Sequence, residues 1–310
     1  MTKNKIYFWA SDYSDNTGEG RLCRLFLNYL EKKYSLIKIF NTYKNFLNFK
    51  YINPFIGIVY CWIFFLKKKK VAYINYLPMW NILIFLLLPP NTILGPITGG
   101  SNFSKLDKNY SIRKYLFPVL YKISEIIILL RYKNIFFATE LLKKNLFSYT
   151  IKKSKFNFVL KSLKIKKKDT KIIDFCLYYR KHSTKISNYP INFIRRLISQ
   201  KYRVHVVGDR LNIAGVKNLG YVKHSRLLQI LSSTRFTISS PENLYTLFLM
   251  DCINSNVKIL INYKRNNKKN SINFIAHDFN KNFLFKKSDY ERDYMNSFSC
   301  FKKIVPSLTS

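Results

Sequence analysis

Two cations follow a predicted strand near the middle of the chain, at a spacing that suits binding of a diphosphate. The apolar segment KIIDFCLYY (171–179) is followed by Arg180 and, five positions later, by Lys185. Guanidinium and ammonium groups bind phosphate oxygens through charge-assisted hydrogen bonds. A solvated basic loop is the simpler alternative, because Lys and Arg are abundant in this chain.

A second candidate group lies in SSPENLYTLFLMDCINSNVKIL (239–260), which predicts a strand end, a helix and a second strand. Ser240 and the proline after it are typical of an N-cap and a first helical residue. Asp251 then returns to the apolar face that begins with Leu244, and Asn243 points broadly the same way. The sequence therefore predicts a polar ligand near Asp251, with a satisfied half-buried carboxylate as the alternative.

Glycines end two further strand-like segments of the second half. V-V-G-D (206–209) places Gly208 in a tight turn, and N-L-G-Y-V (218–222) contains Gly220. A glycine at such a position lets the backbone approach a ligand closely.

Two glycine-containing loops stand in the first half. NTGEG contains Gly18 and Gly20 between a strand and a helix, and ILGPITGGSNF contains Gly99 and Gly100 at a strand end. A loop at a helix N-terminus is a site for an anion or a sugar hydroxyl, although a simple turn explains the first loop equally well.

A general base in the first half has to be a carboxylate, since all four histidines (His182, His205, His224, His277) lie in the second half. Asp12, Asp15 and Glu19 are the carboxylates near the first loop. We expect Glu19 or Asp15 to act as the base if the reaction needs one.

Strand-like and helix-like segments alternate along the whole chain, which predicts an α/β protein with doubly wound parallel sheets. The length of 310 residues favours two domains. We expect a Rossmann-like domain at 1–165 and a second at 166–285, facing each other across a cleft, and a tail at 286–310 that packs back on the first domain.

The net charge of +38 indicates an anionic partner such as a phosphorylated substrate, an anionic lipid or a nucleic acid. The excess is spread evenly, and the chain is rich in residues with A/T-rich codons, so genomic drift explains much of it. The five scattered cysteines form no metal-binding or disulfide pattern. Two apolar segments, 52–66 and 77–90, are short of the about 20 residues that span a bilayer. Buried helices of an α/β domain show the same pattern, and a helix at the membrane surface is a better expectation than a span.

The order of these motifs resembles the donor-binding half of GT-B glycosyltransferases, above all the retaining "group 1" family. The resemblance covers residues 171–262: strand–Arg–x4–Lys, V-V-G-D, L-G-Y-V, the helix L-L-Q-I-L-S-S-T, PEN-x7-D and SNVKIL. The family pattern runs G-R-x4-K-G, a G-D turn, G-y/f-V and E-x7-E. The present chain departs from it at several glycines, and Asn243 stands in register with the first Glu.

The resemblance implies roles for single residues. Arg180 and Lys185 would hold the donor diphosphate, with Gly208 in the adjoining turn, and Asp251 would bind the nucleotide ribose. Glu242, Asn243 and Leu244 would lie beside the donor. The loops with Gly18, Gly20, Gly99 and Gly100 would line the acceptor side.

The resemblance implies a retaining, metal-independent glycosyltransferase that moves a sugar from a nucleotide sugar to a glycan or lipid-linked acceptor in cell-surface polysaccharide synthesis. No DxD motif occurs, so we expect no metal and no cofactor. We expect a cytoplasmic protein that contacts the anionic inner face of the membrane, and no nucleic-acid partner. A non-catalytic protein of the same fold, a basic nucleic-acid-binding protein and an integral membrane protein remain as alternatives.

Overall fold

The chain folds into two compact units, Met1–Ser162 and Leu163–Ser310, in a computed structural model. The structure describes residues 3–14, 17–39, 52–99, 110–139, 142–156, 171–181, 189–239, 246–262 and 274–284. Each unit is treated below by itself.

The first unit alternates strands and helices. Its strands are β1 (Lys5–Ala10), β2 (Ser35–Lys38), β3 (Val71–Pro78), β4 (Ile93–Thr98), β5 (Ile135–Phe136) and β6 (Ser154–Lys155). Its α-helices are α1 (Gly18–Glu31), α2 (Asn53–Leu66), α3 (Ile82–Leu87), α4 (Tyr110–Arg131) and α5 (Ser148–Lys153), with a 3₁₀ turn at Lys143–Asn145.

The main sheet of the first unit is parallel, with the order β2-β1-β3-β4. A parallel bridge from Ile97 to Phe137 links β4 to the segment that follows β5, and β5 pairs with β6. The direction in which successive strands are added to the sheet reverses after β2: β2 lies on one side of β1, and β3 and β4 lie on the other. Because crossovers between parallel strands are right-handed, α1 lies on one face of the sheet and α2, α3 and α4 on the other. The reversal also leaves a crevice at the carboxyl ends of β1 and β3.

Aromatic packing joins this sheet to α2. Trp9 of β1 stacks on Tyr73 of β3, with ring centroids 5.1 Å apart, and both side chains are fully buried. Gly57 of α2 lies against Trp9 so closely that a Cβ at that position would be 2.3 Å from the indole ring. A side chain at position 57 would therefore separate α2 from the sheet.

The described part of the second unit has six strands and three helices: β7 (Ile173–Tyr179), α6 (Ile191–Ser199), β8 (Val204–Gly208), β9 (Val216–Gly220), α7 (His224–Ser232), β10 (Thr234–Ser239), α8 (Leu247–Asn254), β11 (Lys258–Asn262) and β12 (Phe274–His277). All its strand pairs are parallel, in the order β9-β8-β7-β10-β11-β12. This is the Rossmann order, in which the crevice that binds ligands opens at the carboxyl ends of the two central strands, here β7 and β10.

The core of the second unit is built around Phe175 of β7. Its fully buried ring contacts Phe236 of β10 at 5.4 Å and Phe283 at 5.6 Å between centroids. Residues from β7, β10 and the chain after β12 therefore form one aromatic cluster beneath the central strands.

The predicted fold class is confirmed, since both units are parallel α/β sheets with helices on their faces. The predicted tail at 286–310 lies outside the described residues. The apolar segment 52–66 forms α2, and 77–90 forms the end of β3 and α3. No helix in the described part of the chain is both long and apolar enough to cross a bilayer.

Two predicted helices differ from the structure. The apolar pattern of ELLKKNLF also predicts a helix at 140–147, but the described residues 142–147 form only the 3₁₀ turn at Lys143–Asn145, and the Phe147 N–H donates to Glu125 Oε1 at 2.6 Å. The helix predicted to begin after Ser240 begins at Leu247 instead, because the Thr246 hydroxyl caps it by accepting from the Leu249 N–H at 3.3 Å.

Candidate functional site

Asp12 organises the turn that follows β1 at the carboxyl edge of the first unit. Its carboxylate accepts hydrogen bonds from the Ser14 N–H, at 2.8 Å, and from the Thr17 hydroxyl. Thr17 in turn caps α1 by accepting from the Gly20 N–H at 2.9 Å. Burial alone would raise the pKa of Asp12, but these hydrogen bonds outweigh it and lower the pKa below the usual 3.8. Asp12 is therefore ionised at neutral pH, and its carboxylate stabilises the turn.

A cavity of about 640 Å³ opens at this edge, next to the carboxyl ends of β1 and β3. This volume is in the range of small-molecule sites. Its polar lining comes from the β1 turn, the first turn of α1, the end of β3 and the starts of α2 and α3: Ser11, Asp12, Thr17, Glu19, Asn53, Asn75 and Asn81. Its apolar lining includes Pro54, Phe55, Pro78 and Ile84. Hydroxyls, amides and carboxylates, without a Lys or Arg among these lining residues, suit a neutral polyhydroxyl ligand better than an anion.

The predicted base Glu19 lies in the first turn of α1, is exposed and lines this cavity. The other predicted base, Asp15, lies outside the described residues. The Ser11 hydroxyl donates to Asn75 Oδ1 at 2.7 Å, so the β1 and β3 ends are joined across the cavity.

The predicted glycines of the first unit differ in what surrounds them. A Cβ on Gly20 would be 2.5 Å from the Ser14 carbonyl oxygen and 2.6 Å from Asp12 Oδ1, so this glycine is needed for the turn itself. A Cβ on Gly99 would meet Leu142 at 2.8 Å. Gly18 has no atom within 4 Å of a Cβ position. Packing therefore explains Gly20 and Gly99 but not Gly18, and Gly100 lies outside the described residues.

Asp209 joins three strand ends at the carboxyl edge of the second unit. Its N–H donates to the Tyr179 carbonyl at the end of β7, at 2.9 Å. Its carboxylate accepts from the Lys181 N–H and from the Tyr221 hydroxyl, each at 2.6 Å. The Tyr221 hydrogen bond, followed by that of Lys181, lowers the pKa of Asp209, and the same bond raises the pKa of Tyr221.

This arrangement places a cation near Asp209 at the carboxyl end of β7, which is one of the two strands that flank the crevice. Arg180 directly follows β7, is exposed, and its charge contributes to the lowered pKa of Asp209. Asp209 holds the loop backbone at the next residue, Lys181, so the start of the basic loop has a defined position. Of the two cations predicted to bind a diphosphate, Lys185 lies outside the described residues.

The glycine of V-V-G-D, predicted to lie in a tight turn, also allows a close contact with the neighbouring strand β7. Gly208 has φ +100°, and a Cβ there would be 2.3 Å from the Tyr179 carbonyl oxygen. Gly220, with φ +69°, has no atom within 4 Å of a Cβ position. Gly208 therefore allows contact between two strand ends, whereas the space beside Gly220 is open.

Asp251 is buried in α8 and pairs with a histidine. Its Oδ1 lies 3.2 Å from His224 Nε2, and the side chains are 6% and 27% exposed. His224 is the first residue of α7, four residues after the end of β9. The predicted geometry for this helix was wrong, because α8 begins after position 243 and cannot carry Asn243 and Asp251 two turns apart. Glu242, Asn243 and Leu244 lie outside the described residues.

Sequence reasoning missed the side-chain partners of Asp209 and Asp251. Tyr221 is 12 residues from Asp209, and His224 is 27 residues from Asp251. The position of both partners within four residues of the end of β9 was the available signal, since strand ends meet at one edge of a parallel sheet.

The two edges differ in the chemistry they offer. The first holds carboxylates, amides and hydroxyls around a cavity, and the second holds a cation, a positioned backbone loop and a His–Asp pair. No cluster of three or more His, Cys, Asp or Glu that could hold a metal ion is found among the residues described. The four cysteines in those ranges are free and buried.

Comparisons with known proteins identify no family for this chain. No family model matches it, and no curated protein matches it. Similar solved structures include the UDP-GlcNAc 2-epimerase of Methanocaldococcus jannaschii in complex with UDP-GlcNAc and UDP, at 12% identity and a TM-score of 0.44, covering 98% of this chain and 99% of that one.

Two glycosyltransferases are also similar. The Rickettsia africae glycosyltransferase is 12% identical, with a TM-score of 0.38, covering 84% of this chain and 79% of that one. The Polygonum tinctorium UDP-glucosyltransferase that glucosylates indoxyl is 9% identical, with a TM-score of 0.43, covering 85% and 81%. These TM-scores lie below 0.5, so the functional assignment rests on the topology and side chains of this chain.

Proposed function

We propose that the chain is a glycosyltransferase that takes a sugar from a nucleoside-diphosphate sugar bound by its second unit. The observation that carries the proposal is the Rossmann strand order of this unit, with Arg180 directly after β7 at the reversal of strand order. Nucleotides bind at this position in open parallel sheets. The motif order of residues 171–262, which resembles the retaining GT-B glycosyltransferases, agrees with the same ligand.

In this proposal Arg180 and Lys185 neutralise the diphosphate as it leaves, without a metal. Asp209 positions the backbone of their loop through the Lys181 N–H. Asp251 holds His224 beside the β9 edge, so the pair, rather than Asp251 alone, contacts the nucleoside. Gly208, Glu242, Asn243 and Leu244 complete the donor site.

The first unit binds the acceptor, a glycan or a lipid-linked saccharide of a cell-surface polysaccharide pathway. Its cavity is lined by groups that hydrogen-bond to sugar hydroxyls, including Asn75 and Asn81. Gly18, with open space at its Cβ position, lies in the first turn of α1 at this edge. The protein acts in the cytoplasm, at the inner face of the membrane.

Binding of a nucleotide panel tests the donor site. UDP, GDP, ADP and CMP are titrated into the wild-type protein by calorimetry, with and without EDTA. We expect one nucleoside diphosphate to bind, and EDTA to leave its affinity unchanged. Arg180→Ala should weaken binding by about 10- to 150-fold, because a hydrogen bond between charged groups contributes about 1.5–3 kcal/mol.

Arg195→Ala is the matched control, since Arg195 is an exposed arginine on α6 of the same unit. Its affinity should equal that of the wild type. A folded protein that binds no nucleotide contradicts the proposal and favours a non-catalytic or nucleic-acid-binding role.

The base is tested once the donor is known. Glu19→Gln should lower kcat by about 10²- to 10⁴-fold with little change in donor affinity if Glu19 takes the acceptor proton. The same result for Asp15→Asn would assign the role to Asp15 instead. Unchanged kcat in both variants contradicts a protein base and favours a retaining reaction in which the donor phosphate accepts the proton.

A further inference from the structure

One face of the first unit presents a long apolar stripe. α4 exposes an apolar side chain every three or four residues along its length, with exposed fractions from 41% for Ile123 to 81% for Leu130. The members of this stripe are Ile112, Leu116, Val119, Ile123, Ile126 and Leu130. The opposite side of α4, with Tyr121 and Ile128, packs into the core.

The stripe continues onto the two neighbouring helices. α2 exposes Phe55, Val59, Ile63 and Leu66, and α3 exposes Leu83, Leu86 and Leu87. The Trp62 Nε1–H of α2 donates to the Leu87 carbonyl at 2.7 Å, and Trp80 stacks on Phe117 of α4 at 5.9 Å between centroids. The three helices thus form one layer, whose outward side we call the apolar face. Contiguous apolar patches of this kind mark an interaction surface.

The charges around the apolar face are positive. Glu125 is the only carboxylate in the three helices, and it is buried, where it accepts from Lys122 at 3.1 Å and from the Phe147 N–H. The exposed run Lys67–Lys70 follows α2 directly, and Lys114 is exposed near the start of α4.

We propose that the apolar face docks on an anionic lipid bilayer, with α2, α3 and α4 lying in the plane of the interface. Exposed apolar stripes bordered by lysines are what such a surface binds. A second copy of the chain would bring the same lysines towards a partner that also carries a net charge of +38, so repulsion opposes that occupant.

Docking also places the cavity of the first unit at the membrane. Phe55 belongs both to the apolar face and to the cavity lining, and Asn81 and Ile84 at the start of α3 line the cavity as well. The cavity therefore opens beside the surface that contacts lipid. This step rests on the proposed function, and it selects a lipid-linked acceptor over a free glycan.

Sedimentation with extruded vesicles tests the docking surface without any nucleotide. The wild-type protein is mixed with vesicles of phosphatidylcholine alone or of phosphatidylcholine and phosphatidylglycerol at 3:1. We expect binding to the anionic vesicles. V119S/I126S, which replaces two exposed apolar side chains of α4, should lower the partition coefficient onto the vesicles by at least about tenfold, because these apolar side chains are no longer transferred from water to the bilayer.

Ile172→Ser is the matched control, since Ile172 is an exposed isoleucine of the second unit. K67Q/K69Q should lower binding to anionic vesicles, whereas K32Q/K33Q, at the end of α1 on the other face of the sheet, should change it less. Calorimetry of V119S/I126S with the nucleotide that binds the wild type should give an unchanged affinity. Failure of docking is thereby distinguished from failure of the proposed function.

Three results would overturn the docking proposal. The first is equal binding of wild type and V119S/I126S, and the second is equal binding to neutral and anionic vesicles. The third is a wild-type dimer in sedimentation velocity that binds no vesicles and dissociates in V119S/I126S, which would assign the apolar face to a second copy.

Trp80 reports whether the cavity lies at the bilayer. It is 42% exposed and stands between the cavity-lining residues Pro78 and Asn81. Lipids brominated in their acyl chains should quench its fluorescence, and Trp80→Phe should remove that quenched component. Vesicle binding with no quenching of Trp80 would contradict the placement of the cavity and the choice of a lipid-linked acceptor.

Discussion

Asp12 in the first unit and Asp209 in the second accept the same kinds of hydrogen bond, but their partners lie at very different distances in the sequence. Each accepts a backbone N–H and at least one side-chain hydroxyl, and each has a lowered pKa. The partners of Asp12 are two and five residues away. Those of Asp209 are 28 and 12 residues away. The first carboxylate shapes a local turn, whereas the second joins separate strand ends.

The difference matches the chemistry at the two edges. A local turn leaves the first edge free to surround a cavity with carboxylates, amides and hydroxyls. A carboxylate that binds the loop after β7 gives the second edge a defined cationic position at Arg180. Similar parallel sheets thus offer one site suited to hydroxyl groups and another suited to an anion.

A substitution at Gly208, where two strand ends approach each other closely, should have the largest effect on stability. Gly208→Ala should lower the free energy of unfolding by about 3 kcal/mol or more, because a φ of +100° and a 2.3 Å contact both oppose a Cβ. Gly220→Ala, with positive φ but open space, should cost only about 1–2 kcal/mol. Urea unfolding measures both, and equal losses would contradict the packing role of Gly208.

Breaking the buried pair should have the next largest effect. Asp251→Ala should lower the free energy of unfolding by about 1–3 kcal/mol, because it removes a buried hydrogen-bond acceptor from His224. A double-mutant cycle with His224→Ala should give a coupling energy above 0.5 kcal/mol in size. Additive effects would show that the two side chains do not act together.

Removing the cap of α1 should have a smaller effect. Thr17→Ala should lower the free energy of unfolding by about 1 kcal/mol, because the Gly20 N–H loses its acceptor and Asp12 loses a donor. Thr17→Ser keeps the hydroxyl and serves as the control. Equal stability of the Ala and Ser variants in urea unfolding would exclude the capping role.

The smallest expected effect is the loss of the Asp12 contribution to stability at low pH. The pKa of Asp12 is lower in the folded chain than its usual 3.8, so its contribution to stability is present above that pH and is lost as the pH falls through the folded value. The difference in unfolding free energy between wild type and Asp12→Asn should therefore shrink below pH 3.8. A difference that grows on acidification would reverse the sign of the assigned shift.

The fold class could be predicted because alternating strand and helix patterns are local signals. The end of the helical pattern at Phe147 and the start of α8 at Leu247 could not be predicted from local sequence. The first depends on Glu125, 22 residues away, and the second on a choice between two hydroxyl caps, Ser240 and Thr246. The pairs Asp209–Tyr221 and Asp251–His224 were missed for the same reason, since only the folded sheet brings these residues together.

Hydrogen–deuterium exchange with the nucleotide that binds best tests most directly the division of chemistry between the two edges. We predict slower exchange in peptides that contain Arg180–Lys181 and residues 246–252, with no change in the first turns of α1 at 17–24. Protection confined to 17–24, with none around Arg180, would place the anion site in the first unit and contradict the account.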